Sequence, residues 1–89
     1  MEEILKELAE FNRRIKYKQT LTAEERCRFL ELTAEAEKFI NSVDNDYAAV
    51  CLRERYLNGR TWNSIANDMG TQTDDAVRKY ASRAVKKYS

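Results

Sequence analysis

Histidine and proline are both missing from these 89 residues, and glycine occurs twice. Without histidine there is no imidazole to ligate a metal or to activate a serine or cysteine nucleophile. Without proline, and with so little glycine, a sandwich or small barrel that needs many tight turns is disfavoured. No apolar run approaches the ~20 residues that cross a bilayer. The opening Met1-Glu2-Glu3-Ile4-Leu5-Lys6-Glu7 is acidic where a secretory signal is basic. Cys27 and Cys51 form no CxxC motif, so both are expected to be buried free thiols. There is no glycine-rich phosphate loop, and the carboxylate spacings argue for no paired-acid pocket. A chain of this length buries about 60–65% of its unfolded surface, enough for one modest core but not for a deep cleft as well. An enzyme is therefore the least favoured class, and no metal or cofactor is expected. A soluble, cytoplasmic, all-α protein is.

What is present is charge, unevenly placed. The net charge is only +1. Residues 1–46, however, carry 8 cations against 11 carboxylates, and residues 47–89 carry 8 against 4. Much of the positive excess lies near the C-terminus, in Arg78, Lys79, Arg83, Lys86 and Lys87.

Hydrophobic spacing predicts about five helices. Ile4, Leu8, Phe11 and Ile15 mark one helical face. Gln19-Thr20-Leu21 breaks the pattern, and Thr22 with Glu25 three residues later is a capping box. Phe29, Leu32, Ala36, Phe39, Ile40 and Val43 form the stripe of a second helix, so residues 1–45 are expected to be a helical hairpin. Asp44-Asn45-Asp46 is a polar break. Tyr47, Val50, Cys51, Glu54 and Leu57 mark a third helix, widened by Leu52 and Tyr56, with Gly59 as a left-handed cap. Thr61 caps a short helix carrying Trp62, Ile65, Ala66 and Met69, which Gly70 ends. Thr73 caps a last helix whose inner stripe is Val77, Tyr80, Ala81, Ala84, Val85 and Tyr88. Trp62 is expected to pack the short helix onto the third.

Residues 46–89 thus read as a three-helix, helix-turn-helix unit. Ala66 lets two helices approach closely, Gly70 turns the chain with positive φ, and Val77 fills the angle between them. The stretch Leu52-Arg-Glu-Arg-Tyr-Leu-Asn-Gly-Arg-Thr-Trp-Asn-Ser-Ile-Ala-Asn-Asp-Met-Gly70 resembles region 4 of sigma-70-like factors. Its Arg-Tyr-x-x-Gly-x-Thr-Trp-x-x-Ile-Ala cadence is most similar to small phage and prophage regulators of the ArpU/RinA kind. The resemblance covers about half the chain and leaves the hairpin without a counterpart. It implies a sequence-specific regulator of transcription that reads double-stranded DNA with its last helix in the major groove. Family members usually open that helix with basic or polar residues. This chain has Asp74-Asp75, and Asp75 falls where sigma-like domains often place an acid that accepts from a cytosine amino group.

On that reading Gln72, Asp75, Arg78 and Lys79 face base edges. Arg60, Thr61, Thr73, Ser82, Arg83, Lys86 and Lys87 contact phosphates. The hairpin holds a partner, either a second copy or a host transcription component. Two other functions fit the same pattern: a phage DNA-packaging recognition subunit, and a protein-binding inhibitor on the same scaffold. Arg13, Arg14, Lys16 and Lys18 around Tyr17 make a second basic patch. It reads first as a solvated helix end, with a further phosphate contact or an acidic partner as alternatives. Glu24, Glu25, Glu31, Glu35 and Glu37 read as a solvated acidic face.

Overall fold

The computed structural model describes residues 1–70 and 73–88, and it is all-helical, with five α-helices and no strand among them. They are α1 (Glu2–Lys16), α2 (Ala23–Asn41), α3 (Asp46–Leu52), α4 (Trp62–Asp68) and α5 (Asp74–Tyr88). A π-helical turn, Arg53–Leu57, continues α3. No described helix is long and apolar enough to cross a membrane.

α1 and α2 form the expected hairpin. Leu5, Leu8 and Phe11 of α1 are buried, as are Leu32, Ala36, Phe39 and Ile40 of α2. The capping box is complete: the Glu25 N–H donates to Thr22 Oγ1 at 3.1 Å, and the Thr22 N–H donates to Glu25 Oε1 at 3.0 Å. Arg28 clamps Glu7 across the hairpin at 2.8 Å, and Arg14 reaches Glu25.

The Arg14 guanidinium, then the Thr22 backbone N–H, hold the Glu25 carboxyl down at about 2 against an ordinary 4.5. A depressed acid contributes stability that is present above its unfolded value and lost as its folded form protonates. The hairpin is therefore expected to weaken as the pH falls from about 4.5 toward about 2. Glu25→Gln keeps a side chain that can make the capping bond but cannot titrate. It should flatten that part of the pH dependence of thermal unfolding. A variant that keeps the full wild-type acid dependence would refute this assignment.

α1 ends on a left-handed residue. Lys18 has φ +58°, the Lys18 N–H donates to Ile15 O, and the Gln19 N–H donates to Arg14 O at 2.9 Å. That is a Schellman ending with lysine where glycine is usual. The left-handed conformation costs a side-chain-bearing residue ~1–2 kcal/mol, and glycine gives part of that back as unfolded-state entropy. Lys18→Gly is therefore expected to stabilise the fold by up to ~1 kcal/mol. Denaturant unfolding measures it, and a lowered midpoint would contradict the reading.

The core is continuous from Leu5 to Val85 and crosses the 45/46 boundary between the hairpin and the helix-turn-helix unit. Asn12 of α1 donates from Nδ2 to Tyr56 O in the π-helical turn at 2.8 Å. Its Cβ would lie 3.7 Å from a Cβ placed on Gly59. Asn45 caps α3 through the Ala48 N–H at 3.1 Å and donates to Tyr80 Oη on α5 at 3.0 Å. The Tyr47 and Tyr80 rings meet edge-on, 4.7 Å between centroids.

Three expectations are corrected. Ile15, Val50 and Tyr80, placed on inner stripes, are exposed (44%, 44% and 37%), while Leu5 and Ala48 take inner positions; Tyr80 instead lies at the surface with its ring against Tyr47. Cys51 is buried, and burial raises its thiol pKa, but Cys27 is exposed. Of the acidic face of α2, Glu24, Glu31, Glu35 and Glu37 are exposed as expected, while Glu25 is half-buried in the capping box and against Arg14.

Candidate nucleic-acid interface

α4, of 7 residues, and α5, of 15, follow one another in the chain, and each is started by a threonine. The Ser64 N–H donates to Thr61 Oγ1 and the Ala76 N–H to Thr73 Oγ1, both at 3.1 Å. As acceptors, both hydroxyls keep their own hydrogen as a donor. α4 closes at Gly70, whose φ is +89°. A Cβ there would meet nothing within 4 Å, so the backbone angle, not crowding, asks for glycine. Ile65 and Val77 are fully buried and Ala66 is 2% exposed, which seats the two helices on each other.

This packing decides which side of α5 faces out. Val77, Ala81, Ala84 and Val85 are its buried line. With ~3.6 residues per turn, Asp75, Lys79, Ser82 and Lys86 fall on the line pointing away from the core, and all four are exposed. Arg83 and Lys87 border one flank, lining a groove with Asn45, Ala48 and Tyr80. Arg78 and Ser82 border the other, lining a groove of about 200 Å³ with Trp62, Leu52 and Lys6. The exposed surface of α5 therefore presents five cations to solvent against Asp74 and Asp75 in its first turn. Lys79 Nζ lies 3.3 Å from Asp75 Oδ2, so one cation is partly neutralised at the centre of that face. Lys87 Nζ sits 5.4 Å from the centre of the Tyr88 ring.

Ten of the eleven residues expected to contact DNA lie among the described residues, and Gln72 lies outside them. Asp75, Arg78, Lys79, Ser82, Arg83, Lys86 and Lys87 share the exposed sides of α5, and Thr73 stands at its start. Thr61 is exposed at the start of α4.

Arg60 is differently employed. Its guanidinium lies 2.6 Å from Asp68 Oδ2 and 3.3 Å from Glu54 Oε2, and donates to Ser64 O and Oγ at 3.1 and 2.8 Å. Asp68, then Glu54, raise its pKa above the ordinary arginine value. The Arg60 N–H also donates to Glu54 O, six residues back, at 3.0 Å. Arg60 thus ties the end of the π-helical turn to α4, and a phosphate would compete with two carboxylates for it. The spacing Arg60, Ser64, Asp68 is an i, i+4, i+8 series that the sequence displays openly.

Trp62 packs as expected: its ring meets Tyr56 edge-on at 6.2 Å and carries the Arg55 guanidinium 5.2 Å above it. Sequence reasoning did not bring Lys6 or Arg55 to this surface. Lys6 lines the same groove as Trp62 and Arg78, a relation no local spacing reveals. No family model, curated protein or solved structure matches the chain.

Proposed function

We propose that this chain is a sequence-specific, double-stranded DNA-binding regulator of transcription, working in the cytoplasm and inserting α5 into the major groove. One observation carries the reading: α5 seals one face into the α4 packing and turns five cations outward on a single exposed helix. A groove ~12 Å wide admits one such helix. Asp75, Arg78 and Lys79, nearest its start, take the base edges, with Gln72 before them. Ser82, Arg83, Lys86 and Lys87, with Thr61 and Thr73, take phosphates. Arg60 supports this surface from behind through Glu54 and Asp68. Residues 1–45 hold the partner, a second copy or a host transcription component.

The Asp75–Lys79 pair and the neighbouring Asp74 favour a second reading, a protein-binding module on the same scaffold. Binding of a labelled random-sequence duplex, followed across salt concentration, separates the two. The regulator reading expects binding at low salt that weakens by close to one unit of log affinity per phosphate contact for each unit of log salt. No binding at low salt would overturn it and favour the protein-binding module.

A further inference from the structure

Three of the four cations of α1 share one side of it, while the fourth, Arg14, turns to Glu25 of α2. Lys6, Arg13 and Lys16 recur with Glu2 and Ala9 at helical spacing and border the two grooves that flank the start of α4. In the first groove Lys6 faces Arg78 and Ser82 of α5 across Trp62. In the second, of about 200 Å³, Arg13, Lys16 and the exposed Tyr17 gather with Arg55, Gly59 and Thr61. Cations from three separate stretches of chain therefore meet along one band. Among the described residues the one carboxylate lining it is Glu2, while Glu10, beside it, is paired with Arg13. Of the hairpin's other acids, Glu7 and Glu25 are paired with Arg28 and Arg14, Glu24, Glu31, Glu35 and Glu37 are exposed on α2, and Glu3 is exposed on α1 without lining either groove. Lys6 and Lys16 are separated by ~15 Å along α1, at ~1.5 Å per residue. That is about four base-pair steps of duplex at ~3.4 Å per step.

We infer that α1 is a second phosphate-binding element, which lays Lys6, Arg13 and Lys16 along the nucleic-acid backbone beside the groove that α5 enters. This rests on the DNA-binding reading. It assigns the hairpin a direct part in binding besides that of holding a partner. The ligand is the phosphodiester backbone, and the contact carries no sequence information. Arg55 acts through position: its guanidinium donates to Arg60 O at 3.1 Å and covers the Trp62 ring, which fixes the wall between the two grooves.

The test compares two charge-matched double variants, Lys6→Gln/Lys16→Gln on the band and Arg26→Gln/Lys38→Gln on α2. All four residues are exposed, and thermal unfolding checks that both variants fold like wild type. Binding of a labelled random-sequence duplex is measured across salt concentration. The α1 variant is expected to lose roughly two units of salt slope, at ~0.9 per phosphate contact, and the α2 variant close to none. If wild type binds and both variants have the same slope, this inference is overturned while α5 keeps its role. The band would then be solvated or face a protein. If wild type binds no duplex even at low salt, the DNA reading fails and takes this inference with it.

Discussion

Leu52→Ala is expected to lower the unfolding midpoint by about 10 °C or more while leaving one single transition. Leu52 is fully buried at the end of α3, where the hairpin and the helix-turn-helix unit meet. It stands with Leu5 of α1, Trp62 of α4, and Ala81 and Val85 of α5 around one groove. Truncating a buried leucine to alanine typically costs ~2–5 kcal/mol, the transfer of the lost carbons plus the cavity they leave. A chain of this size has roughly 4–13 kcal/mol of stability in all, so the loss is a large share. The transition should stay single because the core has no seam at residue 45: Asn12 holds Tyr56 O, and Asn45 holds Tyr80. Calorimetry of wild type and variant decides it. Two separate transitions, or a shift of only a degree or two, would mean that the hairpin folds by itself and Leu52 does not join the halves.

Arg78→Ala has the largest effect expected on binding. Arg78 is exposed in the early part of α5, on the flank beside Trp62 and Lys6, and the structure shows it no carboxylate partner among the described residues. An arginine reading guanine makes two parallel hydrogen bonds, worth ~1–3 kcal/mol of discrimination. The variant should bind a selected site about 5- to 150-fold more weakly. Its binding to random duplex should fall only by the share of one lost cation, and specificity should relax at one base pair. Lys79→Ala should cost less, because Lys79 already shares its charge with Asp75. Equal affinity of wild type and Arg78→Ala for the selected site would remove Arg78 from the base-reading set.

Local chemistry was legible in the sequence wherever a rule acts over three or four residues. Thr22 with Glu25, Thr61 and Thr73 all cap the helices that their spacing announces, and the polar break before α3 supplies its cap in Asn45. Gly59 and Gly70 both adopt the positive φ that ends a helix on glycine. Periodicity misled where the buried face of a helix lies off the expected stripe or the helix runs out of partner. In α3 the buried residues are Ala48, Cys51 and Leu52, and Val50, about half a turn round from Ala48 and Leu52, emerges on the other side. Ile15 keeps the spacing of Leu8 and Phe11, but it lies one residue before the end of α1, where α2 no longer covers it. Lys18 in a left-handed position carries no local signal, since glycine or asparagine is the residue expected there.

The candidate site divides in the same way. The exposed cations of α5 follow from its stripe alone, because the residues left outside Val77, Ala81, Ala84 and Val85 are the basic ones. For Arg60 the i, i+4, i+8 spacing to Ser64 and Asp68 was open in the sequence, but Glu54 lies on the other side of the Gly59 turn and meets it only once the chain has reversed. The approach of Lys6 to Arg78 joins residues more than seventy positions apart and depends on how α1 crosses the rest. Tertiary packing supplies it, not any local rule.

The most direct test of DNA reading by α5 is selection from a random duplex library at low salt, repeated at two higher salt concentrations. The account predicts enrichment of one motif that survives the salt increase, and loss of its preference at one base pair in Arg78→Ala. Binding without any enriched motif, or no binding at all, would contradict it.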